Sequence, residues 1–152
     1  MKALVQRVAR CRVTIDGNEV RETGPGLLVL YGCAADDDLK DCVKLAEKTA
    51  NLRIFRDAEE KMNLSALDLG LSAMVVSQFT LLADTKKGNR PSFIEAAKPP
   101  FAVEAYEKYV EELRKYPFKE VKTGEFGADM KVELLNDGPV TVMLDTKEWR
   151  RR

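Results

Sequence analysis

Near the C-terminus, two β-patterned runs, Met130 to Leu135 and Val140 to Leu144, are separated by Asn136-Asp137-Gly138-Pro139. Proline has no N–H to give a sheet ladder, and glycine weakens a strand while admitting another backbone or a ligand close to it. A chain with this pair inside a β region must break its ladder there. The break is either a tight corner between antiparallel strands or a rigid piece of backbone presented to something else.

With 152 residues the chain has room for one domain, residues 1–152, whose core would hide roughly 70% of the unfolded surface. A composition of 45% apolar and 33% charged residues is that of a globular chain. The longest apolar runs, Leu27 to Leu30 and Ala73 to Val76, cannot cross a bilayer, and the first residues lack the apolar centre of a signal peptide. Cys11, Cys33 and Cys42 are odd in number and show no C-x-x-C spacing. They argue against a disulfide framework or zinc knuckle and fit packing residues in a reducing cytosol. A cytoplasmic protein without membrane association is expected.

The 25 basic and 25 acidic side chains cancel. Gripping many phosphates calls for a basic excess, so contact with nucleic acid is expected to involve a small part of it. The chain has no histidine. That excludes Ser-His-Asp and Cys-His catalysis and His-ligated metals, and leaves hydroxyls, carboxylates, amines, backbone or substrate to do any chemistry.

The N-terminal third alternates as strands. Asp16-Gly17 predicts a hairpin, Gly24-Pro25-Gly26 a second turn, and Leu27 to Tyr31 a strand buried on both faces. Asp36-Asp37-Asp38 supplies N-cap candidates for a helix over 38–51, with Leu39, Cys42, Val43, Ala46 and Ala50 on its inner face; the Asp run fits a solvated helix start better than a metal site. Arg53-Ile54-Phe55 reads as a short strand, residues 57–63 as a charged loop, and Leu71 to Leu82 as a long strand. A second helix runs from Pro99-Pro100 to about Tyr116, and three short strands close the chain. Arg150-Arg151-Arg152 reads as a mobile basic tail. The order implies an α/β domain of sheet covered by two helices.

Ser77-Gln78-Phe79-Thr80 places two hydroxyls and an amide at a strand end, Ser77 and Phe79 to one face, Gln78 and Thr80 to the other. Backbone N–H groups leaving a strand there can hold an oxyanion. On composition alone these read as residues of an ordinary strand, because no histidine or Ser-x-x-Lys activates either hydroxyl. Lys86-Lys87-Gly88-Asn89-Arg90 offers cations to a phosphate, although a solvated loop explains it as well.

Together, Ser77-Gln78-Phe79-Thr80-Leu81 and Asn136-Asp137-Gly138-Pro139-Val140-Thr141 resemble the paired signatures of the D-aminoacyl-tRNA deacylases. Gln6-Arg7-Val8, Gly24-Pro25-Gly26 and Asn89-Arg90-Pro91-Ser92-Phe93 also sit where that family has them, so the resemblance spans the whole chain. It implies a three-layer β/β/α arrangement, a homodimer, no cofactor and no metal. It further implies hydrolysis of the ester between a D-amino acid and the terminal adenosine of tRNA, with no DNA partner. Ser77, Gln78, Phe79 and Thr80 would form the catalytic segment. Gly138, Pro139, Asn136, Thr141 and Arg7 would form the substrate-facing one, with a cis Gly-Pro peptide reaching into the other subunit's site and Arg7 bracing it. A backbone wall beside the α-carbon would reject L side chains and pass D side chains and glycine. The rival readings are a non-catalytic module binding the aminoacyl-tRNA end, and a hydrolase of another small ester using Asp84 or Glu95 as base.

Overall fold

The computed structural model describes residues 1–150. The first strand, β1 (Lys2–Ile15), organises the fold because it carries partners along both edges. At Asp16-Gly17 both residues take positive φ, 49° and 77°, and β2 (Glu19–Thr23) folds back on the second half of β1. β3 (Gly26–Gly32) pairs with the first half of β1 along the same edge. The opposite edge is taken by β8 (Met130–Asp145), which runs the whole length of β1. Parallel to β3 lies β6 (Ser72–Ser77), and β7 (Val121–Thr123) follows it. β4 (Phe55–Arg56) and β5 (Met62–Leu64) form a separate two-stranded ribbon, so the expected charged loop contains a short strand. Gly26 is required where β3 begins, since a Cβ there would collide with the backbone carbonyl of Ser72.

β3 and β6 are buried on both faces, as parallel neighbours should be. Leu27, Val29, Tyr31, Ala73 and Val75 face two helices, α1 (Asp41–Ala50) and α2 (Phe101–Leu113). Leu28, Met74 and Val76 face the other way, where Val8, Cys11, Val13 and Ile15 curl over them. The curled sheet thus supplies two layers and the helices the third. Tyr31 stacks on Tyr109 at 4.7 Å, and the Tyr109 hydroxyl meets Thr49 Oγ1 at 2.8 Å, which locks α1, α2 and β3 together. No helix among the described residues is long and apolar enough to cross a membrane.

Four local expectations give way to the folded structure. Helix α1 starts at Asp41, three residues later than expected, and buries Leu45 while Val43 stays exposed. Asp37 is not part of a solvated cap. Its side chain is 0% exposed and its Oδ2 lies 2.7 Å from the Met1 amino nitrogen, which also donates to Thr146 Oγ1 at 2.7 Å. Arg150, read as part of a mobile tail, pairs with Asp37 and Asp41; Arg151 and Arg152 lie outside the described residues. The closing strands number two, since β8 continues through Gly138-Pro139 as one bent strand.

A buried ammonium stripped of its carboxylate has no replacement for that pairing. Asp37→Ala should lower the unfolding free energy by about 3–5 kcal/mol, read as a shift in urea midpoint at unchanged slope.

Candidate active site

The strand carrying the first motif stops at Ser77, not at Leu82. Tyr31 opposite Ser77 is the last pair of the β3–β6 ladder, and Gln78 N–H closes it by donating to the Tyr31 carbonyl at 2.7 Å. The chain then tightens into a 3-10 turn over Phe79–Leu82. The expected alternation of Ser77 and Phe79 against Gln78 and Thr80 is therefore lost. What replaces it is a helical first turn, whose leading N–H groups have no internal acceptor. The N–H groups of Phe79 and Thr80 make no hydrogen bond among the described residues, whereas Leu81 N–H donates to the Gln78 carbonyl at 3.2 Å.

Gln78 Nε2 donates to Thr80 Oγ1. No carboxylate or amine is bonded to either hydroxyl of the motif, so nothing in place would deprotonate Thr80. Asp84 Oδ1 accepts the Lys86 N–H at 2.9 Å, and among the described residues no hydrogen bond joins the Asp84 carboxylate to Thr80. Burial pushes the thiols up, to about 11 for Cys11 and Cys42 and about 12 for Cys33, which keeps them neutral and poor nucleophiles. Phe79 is 54% exposed and meets Phe93 edge-on at 4.9 Å. Behind it a slot of about 20 Å³ runs between Tyr31, Ser77, Phe79, Ala102 and Phe126. Phe126, which lines this slot, is not marked by the motifs; a lone aromatic in the polar Gly124–Gly127 loop was the available signal.

The second motif is built as a clamp. Gln6 pairs with Thr141 and Val8 with Asn136, so residues 137–140 stand out from the sheet opposite Arg7. Asn136 closes the base of this loop: its Oδ1 accepts the Val140 N–H at 2.8 Å, and its Nδ2 donates to the Val140 carbonyl at 3.1 Å and Thr141 Oγ1 at 3.2 Å. From below, Arg7 is only 3% exposed and donates from Nε to the Asp137 carbonyl and from Nη1 to the Ile54 carbonyl, both at 2.7 Å. The Gly138-Pro139 peptide is cis, with Gly138 at φ 147°. A Cβ on Gly138 would come within 2.8 Å of Val140 Cγ2 and 3.1 Å of Arg7 Nη2. Gly138 and Pro139 themselves face outward and are exposed.

A single chain does not bring the two motifs together. Along β1, Ala3 marks the level of Tyr31 and Ser77, whereas the Gly-Pro loop stands opposite Arg7 four residues on. From β8 across β1 and β3 to β6 there are three strand spacings, so the motifs lie roughly 20 Å apart along the sheet. The wide clefts, about 590 Å³ beside Arg21 and Arg114 and about 690 Å³ beside Arg10 and Arg12, contain no residue of either motif.

Residues 4–145 match the family model described as D-Tyr-tRNA(Tyr) deacylase. The chain belongs to that family. A D-aminoacyl-tRNA deacylase of Fusobacterium nucleatum subsp. nucleatum is 53% identical over 148 residues, covering 97% of each chain. Among solved structures, one titled c-Myc DNA Unwinding Element Binding Protein superposes with a TM-score of 0.89 at 41% identity, covering 95% of this chain and 98% of that one. A probable eukaryotic D-amino acid tRNA deacylase shares the fold at a TM-score of 0.83 and 13% identity, covering 94% of this chain and 97% of the other. Membership places this deacylase among the hydrolases.

The two carbonyls held by Arg7 lose charged donors together when the guanidinium is removed. Arg7→Gln should lower stability by about 2 kcal/mol in urea denaturation and expose the 137–140 loop to faster amide exchange.

Proposed function

We propose that this deacylase hydrolyses the ester joining a D-amino acid, or glycine, to the terminal adenosine of tRNA, as a homodimer in which each Gly138-Pro139 loop completes the other subunit's site. The observation that carries this reading is the geometry of the loop: it is clamped by Arg7 and Asn136, points outward, and lies about 20 Å along the sheet from its own Ser77–Thr80 segment. A rigid loop with no role at its own site is suited to serve a second copy.

Water attacks the ester carbonyl, and the Phe79 and Thr80 N–H groups hold the oxyanion that forms. Such a donor is worth about 10²–10³ in rate. The carbon–oxygen bond then breaks, the ribose hydroxyl leaves with a proton, and the free D-amino acid departs. The neighbouring 2′-hydroxyl positions the water, which offsets the missing histidine. Phe79 and Phe126, which line the slot, and Phe93, which packs edge-on against Phe79, offer apolar faces to the adenine. Ser77 shapes its floor, and Gln78 holds the Thr80 hydroxyl in place. Thr141 belongs to the loop clamp, since Gln6 Nε2 and Asn136 Nδ2 both donate to its hydroxyl.

Chirality is read by exclusion. The backbone wall leaves no space for an L side chain, and backbone cannot swing aside as a side chain can. Glycine presents nothing to exclude.

The deciding experiment is a set of time courses on matched D-, L- and glycyl-tRNA. D-aminoacyl and glycyl esters should be cleared, and the L-ester spared; equal clearance of L and D would sink the chiral wall, and binding without release would support the non-catalytic module. Gly138→Ala should slow D-ester turnover at least tenfold while sedimentation still shows a dimer, because the added methyl meets Val140 and Arg7. Thr80→Ala should keep the fold and stay within about tenfold of native turnover, the cost of one neutral hydrogen bond. Its complete inactivity would instead make Thr80 the nucleophile.

A further inference from the structure

The hairpin between β6 and α2 is untouched by the chemistry above. Asp84 and Ser92 exchange two backbone hydrogen bonds, both at 2.9 Å, and so pinch off residues 85–91 as a closed loop. That loop holds Lys86, Lys87 and Arg90 and no acid, in a chain whose 25 basic and 25 acidic side chains cancel only when these three are counted. None of the three side chains makes an ion pair or hydrogen bond among the described residues, and the Asp84 carboxylate at its base is turned to the Lys86 N–H. Lys87 and Arg90 line a hollow of about 350 Å³, with Ile94, 85% exposed, at its side. Two residues beyond Pro91, the Phe93 ring meets Phe79 of the catalytic segment. Arg90 is therefore within about 11 Å of chain from the aromatic face of the site.

We infer that this hairpin is the phosphate clamp of the enzyme: Lys86, Lys87 and Arg90 bind the RNA backbone immediately 5′ of the esterified nucleotide. Uncompensated cations beside an aromatic platform are the combination that tracks a single strand without reading its sequence. The placement also answers the neutral net charge, because three cations concentrated beside the site can steer an acceptor strand that the remaining surface does not attract. The inference rests on the deacylase reading for the identity of the strand.

The test compares D-aminoacyl-tRNA with the D-aminoacyl ester of adenosine, which lacks the upstream phosphates. In the triple variant Lys86→Gln, Lys87→Gln, Arg90→Gln, kcat/KM for the charged tRNA should fall, and its log–log salt slope should flatten by about 2, at about 0.7 per lost contact. Turnover of the adenosine ester should not change, and the charge-conserving Lys87→Arg, Arg90→Lys variant should keep the native slope. An unchanged slope on tRNA, or an equal loss on both esters, overturns the clamp. If the native protein hydrolyses neither ester, it is the deacylase reading that fails. The clamp is then decided by fluorescence anisotropy of labelled, uncharged tRNA, where the same flattening of the salt slope supports it and no change refutes it.

Discussion

Arg7 sits at the larger of two breaks in the pairing of β1 with β8. Between the Gln6–Thr141 and Val8–Asn136 pairs, four residues of β8 stand opposite one residue of β1, and the guanidinium fills the gap that results. Its two donated bonds join carbonyls from distant parts of the chain, Ile54 and Asp137. A planar, permanently charged fork suits this task, because it satisfies two fixed acceptors from a buried position. The break in the ladder thereby becomes rigid where it would otherwise be loose. The role proposed for the Gly-Pro loop depends on that conversion.

The two motifs solve different physical problems with the same material. At Ser77 the ladder ends and the next residues coil, which frees N–H groups in a known direction. At Gly138 the ladder bulges, and the backbone itself becomes the surface offered outward. Neither depends on a titrating side chain, in keeping with a chain that has no histidine and whose cysteines are held protonated by burial. Backbone groups positioned by a sheet reorganise little, and that is what the proposed oxyanion stabilisation and steric exclusion need.

Much of the fold was legible locally. The Asp16-Gly17 turn, the doubly buried β3 and the two amphipathic helices follow from periodicity and turn chemistry within a few residues. The errors all have a distant cause. Apolar periodicity continues through Leu81 and Leu82, yet the strand stops at Ser77 because its partner β3 stops; Leu82 instead packs with Ala34 and Ala96. The Asp36–Asp38 run has the composition of a helix cap, but Asp37 is claimed by the amine of Met1, which approaches through the fold. Phe126 carried only a weak local mark, a lone aromatic in a polar loop, and its place at the slot follows from the fold.

The sequence by itself determined the chemical vocabulary of this protein: no histidine, balanced charge, a Gly-Pro break inside a strand and a Ser-Gln-Phe-Thr strand end. These are covalent facts, and they persist whatever the chain does. Only the tertiary structure decided where the vocabulary is used. It placed the two motifs roughly 20 Å apart along one sheet, braced the loop with an arginine 130 residues away, and set three unpaired cations beside the aromatic face. Strand register and long-range burial fix such distances, and both arise from pairings between segments that carry no information about each other until they meet.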